Sequence, residues 1–290
     1  MQPANRPQDS ARSALLVTAA ELQAELAIGG VKLVDASWHL PDQARDGRSE
    51  FLEQRLPGAV FFDIDTIADS SSGLPHTLAS AAEFAHQVEQ LGLCDDDDMV
   101  VYDSLGLFSA PRVAWNLRFM GASKVRVLDG GLPAWIQAGG KLETGNHVLP
   151  EPGHFTVRPG HCATADRHAL AQHLNEGTAR VIDVRSADRF AGRVAEPRVG
   201  LRAGHMPGAI NVPFVELLDQ GYLASNETLA KRFTQAGIGT DDLVITSCGS
   251  GVTAAIALLA LECTGHKRCA LYDGSWSEWG ACSDTPVVTD

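Results

Sequence analysis

The chain has 290 residues, of which 44% are hydrophobic and 20% charged, enough for roughly two ordinary domains with real cores. A formal net charge of -13 argues against nucleic acid or anionic membrane surfaces as partners, although a small cationic pocket can sit inside an acidic protein. The longest apolar stretch, Val252 to Leu261, falls far short of the ~20 residues that a spanning helix needs.

The opening MQPANRPQDSARS lacks the apolar core of a signal peptide. Arg6, Arg12 and the serines hint at a transit peptide, but Asp9 and the prolines oppose it. The expectation is a frayed, disordered lead-in to a cytoplasmic protein. Short β-branched runs at Val31–Ala36 and Met99–Tyr102 read as strands, the second followed by a loop, a helix over Ala110–Met120 and a strand over Val125–Leu128. Gly, Pro, His and Thr accumulate from Gly139 to about Ala165, without helical period, as in a linker. Beyond it the same order returns: strands at Arg180–Val184 and Leu243–Thr246, a helix over Gly251–Cys263, and a strand over Arg268–Tyr272. This alternation predicts α/β layers around parallel sheets, with domains over 14–140 and 166–290 and a linker over 141–165.

The return is a repeat. Val100–Trp135 overlays on Val244–Trp279 without gaps, at a constant offset of 144 residues (Val244 against Val100). Gly121 falls on Gly265, Asp129 on Asp273 and Trp135 on Trp279, and both glycines stand where a left-handed helix cap is expected. Two related domains in tandem explain this better than a solenoid, which needs more copies.

The copies differ most at one loop. Cys248-Gly249-Ser250-Gly251-Val252-Thr253 follows the buried strand of the second copy, where the first has Ser104 in place of the cysteine. Strand, glycine-containing loop and helix put Cys248 at the carboxyl edge of a sheet, where α/β ligands bind. The glycines let successive N–H groups turn toward one point, a nest that stabilises a thiolate. Most free cysteines are small buried hydrophobes, and the two glycines and helix start are what set this one apart. The other five, Cys94, Cys162, Cys263, Cys269 and Cys282, form no CxxC pair, so reduced thiols and no metal site are expected. Cys263, on the core helix, reads as inert.

The string CGSGVTA (Cys248–Ala254) resembles the active-site loop of the 3-mercaptopyruvate sulfurtransferases of the tandem-rhodanese family. GAVFFDID (58–65), LGLFSAPRVAW (105–115), LDGGLPAW (128–135), GHMPGAINVPF (204–214) and YDGSWSEWG (272–280) extend the likeness through most of the chain. The resemblance implies two rhodanese-like domains, the first inactive, the second carrying sulfur as a persulfide on Cys248, with no cofactor. Pyruvate is released, and a thiol, cyanide or thioredoxin takes the sulfur. It further implies that Arg189 and Arg198 bind the donor carboxylate, although Asp188 replaces the usual Gly before Arg189. Arg185 stays ambiguous, and an isolated Arg, including Arg193, more often solvates a loop. Ser250, His76 and Asp65 are implied as a relay at the donor carbonyl, in a cleft between the domains. Thiosulfate-preferring members carry basic residues after the cysteine, and Gly249 and Ser250 are neutral.

Two readings compete with this one inside the fold, a thiosulfate sulfurtransferase and a persulfide carrier without turnover. A phosphatase of rhodanese fold would need a longer loop ending in Arg, and this loop reaches Thr253 without one. Elsewhere, Asp35 and Asp183 end strands and are expected to hold loop N–H groups. Asp95–Asp98 reads as a solvated turn, and Trp276 and Trp279 as packing at the sheet edge.

Overall fold

A computed structural model describes residues 7–160 and 162–290. Helix α1 (Pro7–Leu15) leads into β1 (Leu16–Val17), followed by α2 (Ala19–Ile28), β2 (Val31–Asp35), α3 (Gly47–Glu53), β3 (Val60–Phe61), α4 (Ala81–Gln90), β4 (Asp98–Tyr102), α5 (Ala110–Phe119), β5 (Lys124–Leu128) and α6 (Gly131–Gln137). The five strands form one parallel sheet in the order β1-β5-β4-β2-β3. Apolar strands buried on both faces are what such a sheet requires, and Met99 to Tyr102 are all fully buried.

The second half comprises β6 (Ala163–Ala165), α7 (Arg167–Glu176), β7 (Arg180–Asp183), α8 (Ala187–Phe190), β8 (Ile210–Asn211) and the hairpin β9 (Leu218–Asp219) and β10 (Tyr222–Leu223). It continues with α9 (Asn226–Gln235), β11 (Val244–Ser247), α10 (Ala254–Cys263), β12 (Cys269–Tyr272) and α11 (Ser275–Trp279). Its sheet runs β6-β12-β11-β7-β8, again parallel. Strand for strand this is the first topology repeated. Gly121 and Gly265 take the positive φ expected of them, +107° and +90°.

The structure corrects three expectations. The lead-in is helical from Pro7, with proline at the first helical position, where its missing N–H costs nothing; the expectation for residues 1–6 lies outside the described residues. Arg12 secures this helix to the second half, donating to the carbonyls of Leu223 (2.7 Å) and Ala224 (2.8 Å). The linker ends earlier than expected, because Ala163–Ala165 pair with Ala270–Tyr272 as the edge strand β6. Finally, Asp95–Asp98 is more than a solvated turn. Asp95 is buried and accepts from Thr156 N–H and Arg158 of the linker, Asp97 caps Cys94 N–H, and Asp98 pairs with Arg126.

One apolar cluster runs through both halves. It joins Val113 and Leu117 of α5 to Ala255 and Leu259 of α10, and every residue of α10 except Glu262 is buried. A helix apolar all round belongs in the middle of a larger core. Glu262 meets Arg118 of α5 in a two-pronged ion pair (2.7 and 3.1 Å) at the rim of this seam. The halves are thus packed face to face, with the carboxyl edge of the second sheet turned toward loops of the first.

Candidate functional site

Cys248 follows β11, the middle strand of the second sheet. The helix begins at Ala254, three residues later than the sequence pattern suggests, because Gly251 takes φ +80° and keeps the chain in a loop through Thr253. The carbonyls of Cys248 and Gly249 are drawn back by the N–H groups of Trp276 (3.0 Å) and Ser277 (2.9 Å) at α11. Cys248 N–H donates to Ser275 Oγ (3.2 Å). With the carbonyls so engaged, none of the N–H groups from Gly249 to Thr253 meets a protein acceptor among the described residues. Unpaired amides grouped on one loop form an anion-binding concavity.

Cys248 is only 2% exposed, yet it lines a cavity of about 350 Å³ between the halves. Gly249, Ser250, Val252 and Thr253 share this wall, whereas Gly251 faces Arg112. The first half supplies Trp38, the turn at Leu40–Gln43 and Phe108; Trp38 and Phe108 lie parallel, 6.2 Å between ring centroids.

Three arginines line the same cavity. Arg185 is wholly buried: it pairs with Asp183 (2.6 Å) and Glu196 (2.8 Å) and covers the Trp276 ring (4.2 Å). It holds the floor of the site. Glu196 also grips Arg189 (2.5 Å), and a Cβ on Gly249 would come within 3.0 Å of Arg189 Nη2. Arg189 is therefore a half-neutralised cation laid against the cysteine loop. Arg198 also lines the cavity and has no hydrogen-bond or ion-pair partner among the described residues. Burial lowers its pKa below the usual arginine value, opposed by the nearby Cys248. Arg193 pairs with Asp188 at the surface.

The remaining candidates come together across the seam. His76 Nδ1 lies 3.1 Å from Ser250 Oγ, and its Nε2 lies 2.8 Å from Asp65 Oδ1. Trp38 Nε1 donates to the other Asp65 oxygen (2.9 Å) and meets the His76 ring edge-on. The hydrogen bond from His76 holds the Asp65 carboxyl below the usual range, against the opposing effect of burial. Three residues that are 11 and 174 positions apart thus form one chain of hydrogen bonds.

A rhodanese-like domain pattern matches residues 18–138 and again 166–282. The chain belongs to the rhodanese family. A 3-mercaptopyruvate sulfurtransferase of Escherichia coli is 45% identical over 89% of this chain and 92% of its own length. A mitochondrial thiosulfate/3-mercaptopyruvate sulfurtransferase of Arabidopsis thaliana is 37% identical over 92% of this chain and 76% of its own. The crystal structure of an Escherichia coli 3-mercaptopyruvate sulfurtransferase superposes with a TM-score of 0.83, at 39% identity, over 91% of this chain and 99% of that one.

Comparison of the two rhodanese copies shows how the first is closed. Its loop has the same length, but the carboxylate of Asp103 sits inside it. Asp103 Oδ1 accepts from Leu105 N–H (2.9 Å), and Oδ2 from Phe108, Ser109 and Ala110 N–H (2.8–3.0 Å). Ser104, at the position of the cysteine, donates to Glu50, which also binds His39 and Arg45. The amides of the first loop thus serve an internal anion. In the second copy Ser247 stands at the Asp103 position, buried, with its hydroxyl unpartnered.

Sequence reasoning missed Glu196 and the Asp103–Ser247 exchange. Both left a signal: Glu196 lies in the EPR element that carries Arg198, and the exchange is visible in the gap-free overlay. The structural expectations agree with the geometry. Asp35 accepts from Ser37 N–H (2.8 Å) and Asp183 from Arg185 N–H (3.0 Å), Trp276 and Trp279 are buried, and burial pushes the Cys263 thiol up to about 12. Among the described residues no His, Cys, Asp and Glu are grouped to hold a metal, and no helix is long and apolar enough to cross a membrane.

Proposed function

We propose that the protein is a sulfurtransferase that takes sulfur from 3-mercaptopyruvate onto Cys248 and passes it to a thiol or cyanide. The Cys248 thiolate attacks the donor sulfur, the carbon–sulfur bond breaks, and its electron pair remains on the three-carbon fragment as the enolate of pyruvate. The transferred sulfur arrives as Cys248–S–SH. Its proton moves to the enolate carbon by way of the Ser250–His76–Asp65 chain, leaving pyruvate and a Cys248 persulfide anion. The acceptor then attacks the outer sulfur and the thiolate is restored.

Each residue has a physical task in this scheme. The amides of Gly249 to Thr253 hold an anion before and after transfer, so little reorganisation separates the half-reactions. Arg198, free of other partners, and Arg189, shared with Glu196, take the donor carboxylate; a planar guanidinium binds a carboxylate through two parallel bonds. Asp65 fixes the tautomer and orientation of His76. Trp38, Phe108 and the neighbouring turn keep water from the enolate.

The observation that carries the reading is His76 joining Ser250 to Asp65 beside the Cys248 loop. A keto-acid donor leaves a carbanion that needs a proton, whereas thiosulfate leaves sulfite, which does not. The neutral Gly249 and Ser250 agree with this choice. The protein is further proposed to be cytoplasmic and to use small thiols, cyanide or thioredoxin as acceptors. Intact-mass measurement after incubation with 3-mercaptopyruvate should show one added sulfur, lost on adding cyanide and never gained by Cys248→Ser.

The second reading, a thiosulfate donor, draws on the double name of the Arabidopsis relative. Steady-state rates with both donors decide the matter, and a clear preference for thiosulfate overturns our choice.

A further inference from the structure

Arg112, in the first turn of α5, is a fully buried cation at the seam with no place in the scheme above. It stacks on the Trp115 ring at 4.7 Å. Its Nη2 donates both to the carbonyl of His76 and to Asp273 Oδ1, each at 2.6 Å. The other oxygen of Asp273 accepts from Leu78 N–H (2.8 Å). Arg112 from one copy and Asp273 from the other therefore clamp the chain where it leaves His76, at the His76 carbonyl and at Leu78 N–H. His76 is held there at φ +63°, a conformation that non-glycine residues keep only when their surroundings impose it. Arg112 Nε and Nη1 are buried without a hydrogen-bond partner, and Nη1 is so close to the nucleophile loop that a Cβ on Gly251 would lie 2.7 Å from it. One guanidinium thus touches both sides of the Ser250–His76 contact.

We propose that Arg112 is a positioning residue for sulfur loading: it sets the distance between Ser250 and His76 from behind, and does not itself touch the donor. This rests on the sulfur-transfer reading above. Loading needs the proton path to the enolate. Discharge of the persulfide to cyanide, in which the outer sulfur simply leaves with the nucleophile, does not. Arg112→Lys keeps the charge but not the two-sided reach, so it should divide the two half-reactions.

Rapid-quench measurement of pyruvate release reads the first half, and thiocyanate formation from preloaded enzyme reads the second. Arg112→Lys should slow loading about 10- to 100-fold, the scale of a small misplacement of reacting groups, and leave discharge within about twofold. On a Ser250→Ala background the same substitution should add no more than about twofold, since residues acting as one unit are not additive. Equal slowing of both half-reactions, unchanged loading, or a full further loss on the Ser250→Ala background each overturns the inference. Should Arg112→Lys fail to fold, Asp273→Asn loosens the same clamp and must give the same division. A wild-type protein that takes no sulfur from 3-mercaptopyruvate overturns the functional reading and this inference together; normal wild-type loading with any adverse outcome above overturns this inference alone.

Discussion

Arg189 and Arg198 lie nine positions apart in one basic segment, but the structure gives them different surroundings. Glu196 already occupies much of Arg189, whereas Arg198 lines the cavity with no such partner among the described residues. A charge-assisted hydrogen bond contributes ~1.5–3 kcal/mol, so Arg198→Ala should raise the apparent KM for mercaptopyruvate about 10- to 100-fold. Arg189→Ala should raise it less, because Glu196 already takes two of its donors. Steady-state kinetics check both, and an Arg198 variant with unchanged KM removes that residue from the site. The resemblance singled out the pair, and both line the cavity; the inequality of their surroundings could not be read from the chain, since it depends on where the Glu196 carboxylate folds. Arg185 was ambiguous for the same reason, and its buried partners now mark it as structural.

At the scale of the element, two loops of equal length follow equivalent strands, and one residue separates a closed nest from an open one. Asp103 fills the first loop with its own carboxylate; Ser247 is too short to fill the second. Ser247→Asp should therefore place an internal anion among the amides of Gly249 to Thr253 and compete with the thiolate and persulfide. We expect transfer to fall more than about 100-fold, the order seen when such donors are lost, with the thermal midpoint not reduced in proportion. Turnover near wild type would show that the amides do not hold the sulfur anion. Conversely, Ser104→Cys alone should not gain persulfide, because Asp103 still occupies that nest; mass measurement would show this. The loop's existence followed from glycines and strand order, but its length did not. Positive φ at Gly251 delays α10 to Ala254, a backbone choice settled by what packs around it.

Over the whole molecule, the seam makes the site. Cys248 and the two arginines proposed to bind the donor belong to the second copy, and Asp65, His76 and the Trp38–Phe108 wall to the first. The same seam buries α10, whose outward face meets α5 and Leu15 of α1 within one apolar cluster. Residues 166–290 produced alone should expose that face, lose cooperative unfolding and bind hydrophobic dyes, since contiguous apolar patches of this kind are not left open on monomers. A cooperative, dye-free melt of the isolated half, followed by circular dichroism and fluorescence, would contradict this. Even if it folds, it should release no pyruvate from mercaptopyruvate, having lost His76.

The alternation of strands and helices, the doubling of the domain and the loop that sets Cys248 apart could all be read from the chain, because each depends on local pattern: buried β-branched runs, a gap-free repeat, and a cysteine followed by a glycine-containing turn. What only the tertiary structure decided is which charges are already spent. Partners such as Glu196, Asp273 and Asp103 are chosen by distance across the fold, and in a buried site the nearest carboxylate sets whether a cation or a ring of amides remains available to a substrate.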